Sequence, residues 1–304
     1  MNELDTERLA WVLSTLGADA LMSVAGLRDG GAPWLIEARR ASDDQVIRAV
    51  LRVADSRLGM GCPPTSRESA GMTVAARGGI PVPQVLGEQV DADEAALLID
   101  YLPGSSAQPV TPNPTRLRTL GAIAAAIFCL TPDSVPEALL PAVEHPIPSV
   151  DFGALRAEAE PQQLFIEAER RLAEVSVDDP IGFVHGDLWS GNTLWSGEEL
   201  EAVLDWDCCG HGAAGVDLGS LRCDAAMCYG LPAADHVLDG WESAAARPAD
   251  SVAYWDVVAA LSTPPDISWF GPAITGMTQR ADLTTSILRE RRDAFLADGL
   301  QRLN

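Results

Sequence analysis

The sequence contains no lysine: all 21 basic residues are arginine, set against 44 acids, for a formal net charge of −23. That balance excludes a protein that grips nucleic acid through a basic face, because neutralising phosphates takes a surplus of Lys and Arg on one surface. It also hands any catalytic task usual for lysine to an arginine. No C-x-x-C spacing occurs among the six cysteines, Cys62, Cys129, Cys208, Cys209, Cys223 and Cys228, so neither a zinc ribbon nor a disulfide framework is indicated. Cys208, Cys209 and His211 are adjacent side chains that converge poorly on one ion. The longest apolar run, "GAIAAAIFCL" (121–130), is far short of a bilayer span, and "MNELDTER" is not a basic-then-apolar leader. Internal repeats and low-complexity tracts are also missing. The expectation is a cytoplasmic protein with reduced thiols, without a membrane or nucleic-acid partner.

What is there is enough for a large core. A chain of 304 residues, 47% hydrophobic, builds two domains or one two-lobed unit. Its acidity is uneven: residues 105–304 hold 29 acids against 12 arginines, residues 1–104 hold 15 against 9. Such a field keeps the chain soluble and also attracts a cationic substrate to the second part.

Patterning divides the chain near residue 102. After an amphipathic segment around "TERLAWVLSTLG", residues 32–55 read as two strands joined by a polar turn. The second alternates, with Val46, Arg48, Val50 and Arg52 on one face and Ile47, Ala49, Leu51 and Val53 on the other. Residues 66–79 have helical spacing and stop at Gly-Gly. "IPVPQVLGEQV" and "AALLIDYLPG" read as two further strands, giving the order strand, strand, helix, strand, strand. The Pro/Ser-rich stretch "PGSSAQPVTPNPT" (103–115) reads as a hinge or linker. Beyond it the pattern is helical at 116–130 and 153–175, with an irregular, proline-rich connection at 131–150. The chain is thus expected to fold as α+β: a small N-terminal antiparallel sheet lobe (1–102) and a larger, mainly helical C-terminal lobe (103–304).

The chemistry is concentrated in "FVHGDLWSGNTLW" (183–195) and "VLDWD" (203–207). Asp187 precedes Asn192 by five positions. The intervening "NTLWSGEELEAVLD", folded as a hairpin about "SGEE", brings Asn192 beside Asp205. Transfer of a phosphoryl group from ATP needs hard oxygen donors for Mg²⁺ and a carboxylate that orients and deprotonates the attacking hydroxyl. Asp187 fits the catalytic base, Asn192 and Asp205 fit the metal ligands, and His185 fits a group that orients the loop.

These residues resemble the aminoglycoside phosphotransferase and choline kinase-like small-molecule kinases, across nearly the whole chain. The resemblance implies a two-lobed, protein-kinase-like fold, with "FVHGDLWSGNTLW" as the catalytic loop and "AVLDWD" carrying the metal-binding aspartate. Asp217 in "GAAGVDLGSLR" falls where the family has a structural aspartate. "AVLRVAD" looks like the strand bearing the phosphate-gripping base, here Arg52 in place of the usual lysine, with Glu68 as its partner and Arg48 as a rival on the same strand face. An arginine there grips bidentately where a lysine acts as a point charge. Backbone groups near Asp100 and Leu102 would contact adenine. "AGLRDGGAP" (25–33) would cover the nucleotide, although it lacks a clean G-x-G-x-x-G.

For the acceptor the signals are weaker. Trp189, Trp206 and Trp269 can wall a pocket or simply pack, and Asp207 and Asp224 can meet an ammonium group. The resemblance implies that the C-terminal segment "DISWFGPAITGMTQRADLTTSILRERR" completes the substrate site, which singles out Asp266 and Trp269. The expected activity is ATP- and Mg²⁺-dependent O-phosphorylation of a small cationic molecule, of the kind that inactivates aminoglycosides or basic peptide antibiotics. The alternatives are a metabolic kinase for choline, an amino sugar or another small alcohol, a macrolide kinase, and a kinase-like regulatory protein without turnover.

Overall fold

The computed structural model describes residues 5–28, 31–55, 62–133 and 135–303. Helix α1 (Thr6–Leu16) starts where the Asp5 carboxylate accepts from the Arg8 N–H at 2.7 Å and stops at Gly17 in the left-handed region. Strands β1 (Ala20–Arg28), β2 (Gly31–Arg40) and β3 (Gln45–Asp55) follow, then helix α2 (Pro64–Arg77), opened by its own proline, and strands β4 (Val85–Val90) and β5 (Glu94–Asp100). The five strands form one antiparallel sheet in the order β1-β2-β3-β5-β4. The expected order lacked β1. That strand occupies the sheet edge with residues 20–27 exposed, so it shows no one-sided apolar pattern.

Alternation along β3 has the expected consequence. Ala49 and Leu51 are buried with Ile36, Ala38, Ala96 and Leu98 against Val12 and Leu16 of α1, leaving the opposite face, with Arg52, for the cleft. Of the expected nucleotide-covering loop 25–33, Asp29 and Gly30 lie outside the described residues.

The second lobe begins with α3 (Pro114–Phe128), capped by Asn113. The helix expected over 153–175 is two, α4 (Phe152–Glu158) and α5 (Gln163–Leu172), parted around Pro161, which disfavours helical backbone at the residue before it. Strands β6 (Ile181–Val184), β7 (Thr193–Ser196), β8 (Glu199–Val203) and β9 (Gly210–Ala213) pair as β6-β9 and as the hairpin β7-β8, in the register Thr193 to Val203 and Ser196 to Glu199. Helices α6 (Gly215–Tyr229), α7 (Leu231–Ala245), α8 (Val252–Leu261), α9 (Gly271–Thr278) and α10 (Thr285–Arg302) complete the chain. One apolar cluster joins Met72, Leu97 and Ile99 of the first lobe to Leu120, Leu188 and Trp206 of the second. The division near residue 102 therefore crosses a continuous core. Among the described residues no helix is long and apolar enough to cross a membrane.

Candidate active site

The loop after β6 is built by hydrogen bonds that fix its backbone. Both oxygens of the buried Asp217, in the first turn of α6, accept N–H groups: His185 at 2.8 Å and Gly186 at 2.9 Å. Burial raises the Asp217 pKa to about 6, against the lowering by those two donors. Gly186 has φ +83°, and a Cβ there would sit 2.1 Å from the Cys208 carbonyl oxygen, so only glycine fits.

His185 is fully buried against Trp206, with ring centroids 4.5 Å apart. Its Nε2 lies 2.9 Å from the Leu204 carbonyl, and its Nδ1 accepts the Asp187 N–H at 3.2 Å. These contacts require the Nε2–H tautomer. Burial lowers the His185 pKa to about 4, so the ring is neutral and ties the loop to the strand end just before Asp205. Trp206 stacks on Phe183 and donates to Val203, which makes it a core residue.

Asp187 is thereby presented at the mouth of a cavity. Asn192 Nδ2 donates to its backbone oxygen at 2.9 Å and to its carboxylate at 3.1 Å. Burial, then the nearby charges of Asp205 and Asp207, raise the Asp187 pKa, and the Asn192 bond opposes them. Leu204 N–H bonds the Asn192 carbonyl at 2.8 Å, so the hairpin brings Asn192 next to the strand that ends in Asp205. Asp205 has φ 66° and ψ 59°, a left-handed conformation unusual for a residue with a side chain.

From the sheet side, Arg52 Nη1 contacts Glu68 Oε1 and Asp205 Oδ1, each at 2.7 Å, and Arg52 Nη2 lies 3.8 Å from Asp207. Arg48, the rival, is exposed and pairs with Glu37 of β2 at 2.9 Å. Glu68 is buried, which pushes its pKa up to about 8 despite the Arg52 charge. Asp207, also raised by burial, to about 6, belongs to this cluster and does not line the cavity. The Asp100 carboxylate accepts the Gln84 N–H. Leu102 follows where the chain leaves the sheet.

The cavity, about 240 Å³, lies beneath this loop. Asp187, Trp189, Asn192 and Asp205 form one side. Ser220, Cys223, Asp224 and Met227 of α6 form a second, and Phe270, Ala273, Ile274 and Met277 a third. Both helical walls have the i, i+3, i+4, i+7 spacing of a single helix face. Ile147 and Pro146, from the irregular connection, close it, and Ile147 N–H bonds the Gly186 carbonyl at 2.8 Å. Of the expected acceptor residues, Trp189 and Asp224 line the cavity. Asp266 and Trp269 do not: Asp266 caps a 3₁₀ turn through Ser268 and lies 3.7 Å from Arg289, and Trp269 is 61% exposed. The segment expected to complete the acceptor site does contribute a wall, through residues 270–277 rather than Asp266 and Trp269, and "FGPAITGM" carries the helical spacing that would have marked them; Ile147 went unread in the sequence.

Fold and site together define a two-lobed, kinase-like small-molecule phosphotransferase. The model of the phosphotransferase enzyme family (APH) matches residues 37–261, about three quarters of the chain, and the chain belongs to that family. No curated protein matches in sequence. Solved structures resemble it over nearly full length. Macrolide 2'-phosphotransferase MphH from Brachybacterium faecium is 19% identical, with a TM-score of 0.59, over 95% of this chain and 98% of that one. A thermostable mutant of aminoglycoside phosphotransferase APH(4)-Ia, in ternary complex with AMP-PNP and hygromycin B, is 15% identical, with a TM-score of 0.61, over 97% and 99%. Spectinomycin phosphotransferase APH(9)-Ia, bound to ADP and its antibiotic, is 13% identical, with a TM-score of 0.58, over 99% and 100%.

Proposed function

We propose that the protein transfers the γ-phosphoryl group of ATP to a hydroxyl of a small molecule entering the cavity beneath Asp187, in the manner of the antibiotic kinases. The observation that carries this is the single constellation in which Asp187, braced by Asn192, faces a cavity while Asp205 meets the Arg52–Glu68 pair from the other lobe. Asp187 orients the acceptor hydroxyl and takes its proton. His185 and Asp217 hold the backbone from which Asp187 projects. Arg52, anchored by Glu68, grips nucleotide phosphates with a planar fork, and backbone groups near Asp100 and Leu102 receive the base.

The donor set fits magnesium. Asn192 and Asp205 offer hard oxygens, Glu68, Asp205 and Asp207 crowd around Arg52, and the charges of Asp205 and Asp207 also act on Asp187, a local surplus of negative charge. Among the described residues no three His, Cys, Asp or Glu side chains form a closed metal site, as expected for an ion that also takes phosphate oxygens. When bound there, Mg²⁺ would neutralise phosphate charge. Positioning does the rest: two reactants held in line need no covalent intermediate.

Two acceptor readings follow from different features. The acidic second lobe favours a polycationic acceptor such as an aminoglycoside or basic peptide antibiotic, and choline or an amino sugar would use the same catalytic residues. The cavity itself is mostly apolar, with Ile147, Trp189, Met227, Phe270, Ile274 and Met277 in its walls, which favours an acceptor with an apolar body, such as a macrolide. The test is acceptor-dependent ADP release across aminoglycosides, basic peptide antibiotics, macrolides, amino sugars and choline, with Asp187→Asn as control. A hit that disappears in the control supports the reading. Turnover unchanged by the substitution would sink it.

A further inference from the structure

Helix α2 belongs to the first lobe, yet one of its faces rests on the second. Glu68 turns toward Arg52, and the residue before it, Arg67, turns toward the segment that follows Asp205. Arg67 is only 3% exposed. Its Nη1 donates to the Asp207 carbonyl at 3.2 Å, its Nη2 donates to the Cys62 sulfur at 3.4 Å, and its own carbonyl accepts the Cys209 thiol at 3.6 Å. One helical turn further on, Gly71 packs so closely on the same segment that a Cβ there would sit 2.6 Å from Cys209 Sγ and 3.0 Å from Trp206 Cβ. Residues 67 and 71, four apart, thus share one helix face against the 3₁₀ turn Trp206–Cys208. Asp205 heads that turn in its left-handed conformation, which a residue with a side chain keeps only where its surroundings hold it. Before Asp205, the Leu204 bonds to Asn192 and His185 do so. After it, the contacts come from α2.

We propose that Arg67 is a positioning residue: through the Asp207 carbonyl and Cys209 it locks the Asp205 turn onto α2, so that the magnesium ligand and the Arg52–Glu68 pair form one rigid unit across the lobe boundary. The inference rests on the reading of Asp205 as a metal ligand and Arg52 as the phosphate grip. Arg67 and Glu68 are consecutive, so the bonds that seat Arg67 on the turn also set the distance from Glu68 to Asp205. A hard ion demands close geometry from the few protein oxygens it takes, and a carboxylate whose backbone is free to shift gives it less. Arg67 touches neither nucleotide nor acceptor in this scheme. Its effect reaches the ion only through the backbone of residues 205–209.

The probe is AMP-PNP, whose bridging nitrogen resists transfer. Its binding to the full chain is measured by calorimetry with saturating Mg²⁺ and with EDTA, and the ratio of the two affinities is the gain from the ion. Arg67→Met should cut that gain about tenfold. It should leave the affinity in EDTA within about twofold, since Arg52 and Glu68 keep their side chains. The direction discriminates: the charge of Arg67 acts on Asp207, so by charge alone its removal would favour a cation there and raise the gain. Arg67→Lys, which keeps a cation able to donate to the Asp207 carbonyl, should recover part of it. Gly71→Ala, with every side chain of the site retained, should lower the gain by wedging α2 off the turn, and it decides the matter if Arg67→Met does not fold. A gain unchanged or raised in Arg67→Met, affinities that fall equally with and without Mg²⁺, no recovery by Lys, or a wild-type gain in Gly71→Ala would each overturn the proposal. Failure of the underlying reading shows separately, in the wild type alone: AMP-PNP that binds no more tightly with Mg²⁺ overturns the metal assignment of Asp205 and the lock with it.

Discussion

Replacing Asp217 by Asn tests whether the loop that presents Asp187 is held as the geometry indicates. The carboxylate accepts two buried N–H groups, from His185 and Gly186, at 2.8 and 2.9 Å. An amide keeps one acceptor and turns an NH₂ toward the other donor, so one charge-assisted bond is lost and two donors are opposed. The lost bond alone is worth about 1.5–3 kcal/mol, and leaving donors unsatisfied adds about 1–3 kcal/mol. Against this, Asn relieves the burial of charge. The rise of the Asp217 pKa to about 6 from 3.8 corresponds to about 3 kcal/mol at neutral pH. The bond terms, about 2.5–6 kcal/mol together, set against that relief leave an expected net loss of at most about 3 kcal/mol in urea denaturation. Function should suffer more than stability. A loop shifted by a fraction of an ångström misplaces Asp187, for which a fall in kcat on the order of tenfold or more is expected, with Mg·ATP affinity within about a factor of three because Arg52 and Glu68 lie on another lobe. Denaturation, ATP-binding calorimetry and single-turnover phosphate transfer measure the three quantities. Lowered stability with kcat unchanged would refute the loop-holding role, and no change in either would refute the hydrogen bonds themselves.

Arg52→Met should weaken Mg·ATP binding at least tenfold, since it removes the guanidinium between Glu68 and Asp205. Arg48→Met, on an exposed pair with Glu37, should change it less than about twofold; equal effects in calorimetry would undo the assignment. His185→Gln addresses acid stability. The folded pKa of about 4 lies below the ordinary 6.5, so between these values the unfolded chain holds a proton that the native state does not. The wild type therefore loses this contribution as pH falls from 6.5 toward 4, by about 3 kcal/mol in all. Denaturation at pH 7.5 and 4.5 should show the wild type losing more stability than the variant, and parallel losses would contradict a buried neutral ring.

The two lobes were legible to different depths. Strands β2 and β3 declared themselves because one face is buried and the other is not. Arg52 could be placed opposite Leu51 by parity alone, and its contact with Glu68 follows from α2 packing under the sheet. The hairpin that brings Asn192 toward Asp205 was readable because "SGEE" is a turn between two short apolar runs. Strand β1 hid because neither of its faces is covered. The acceptor walls hid for a different reason. Ser220, Asp224, Phe270 and Ile274 meet only when α6 and α9 are brought together across roughly fifty residues of intervening helix, and nothing local specifies that approach. The resemblance drew the reading to the right segment but to Asp266 and Trp269 within it, and a polar residue at the start of a 3₁₀ turn is there to cap it.

The stretch expected as a hinge has a different role once its bonds are traced. Ser105 exchanges both backbone bonds with Trp195 of β7, at 3.1 and 3.0 Å. Gln108 N–H bonds the Thr278 carbonyl at the end of α9, and the Pro109 carbonyl accepts from Tyr229 and Arg280 at 3.0 Å each. Residues 103–110 are therefore a strap rather than a free linker. The strap begins where β5 ends, beside the backbone assigned to the nucleotide base, and finishes on α9, the apolar wall of the cavity. Its proline and serine content, which resembles a flexible linker in the sequence, serves an extended segment whose backbone groups are satisfied one by one from both neighbours. Hinge motion between the lobes would have to break the Ser105 pair or turn about the few residues before it. Any shift of α9 on acceptor binding is thus coupled through the Thr278 and Pro109 carbonyls to the segment that leads back to the nucleotide side.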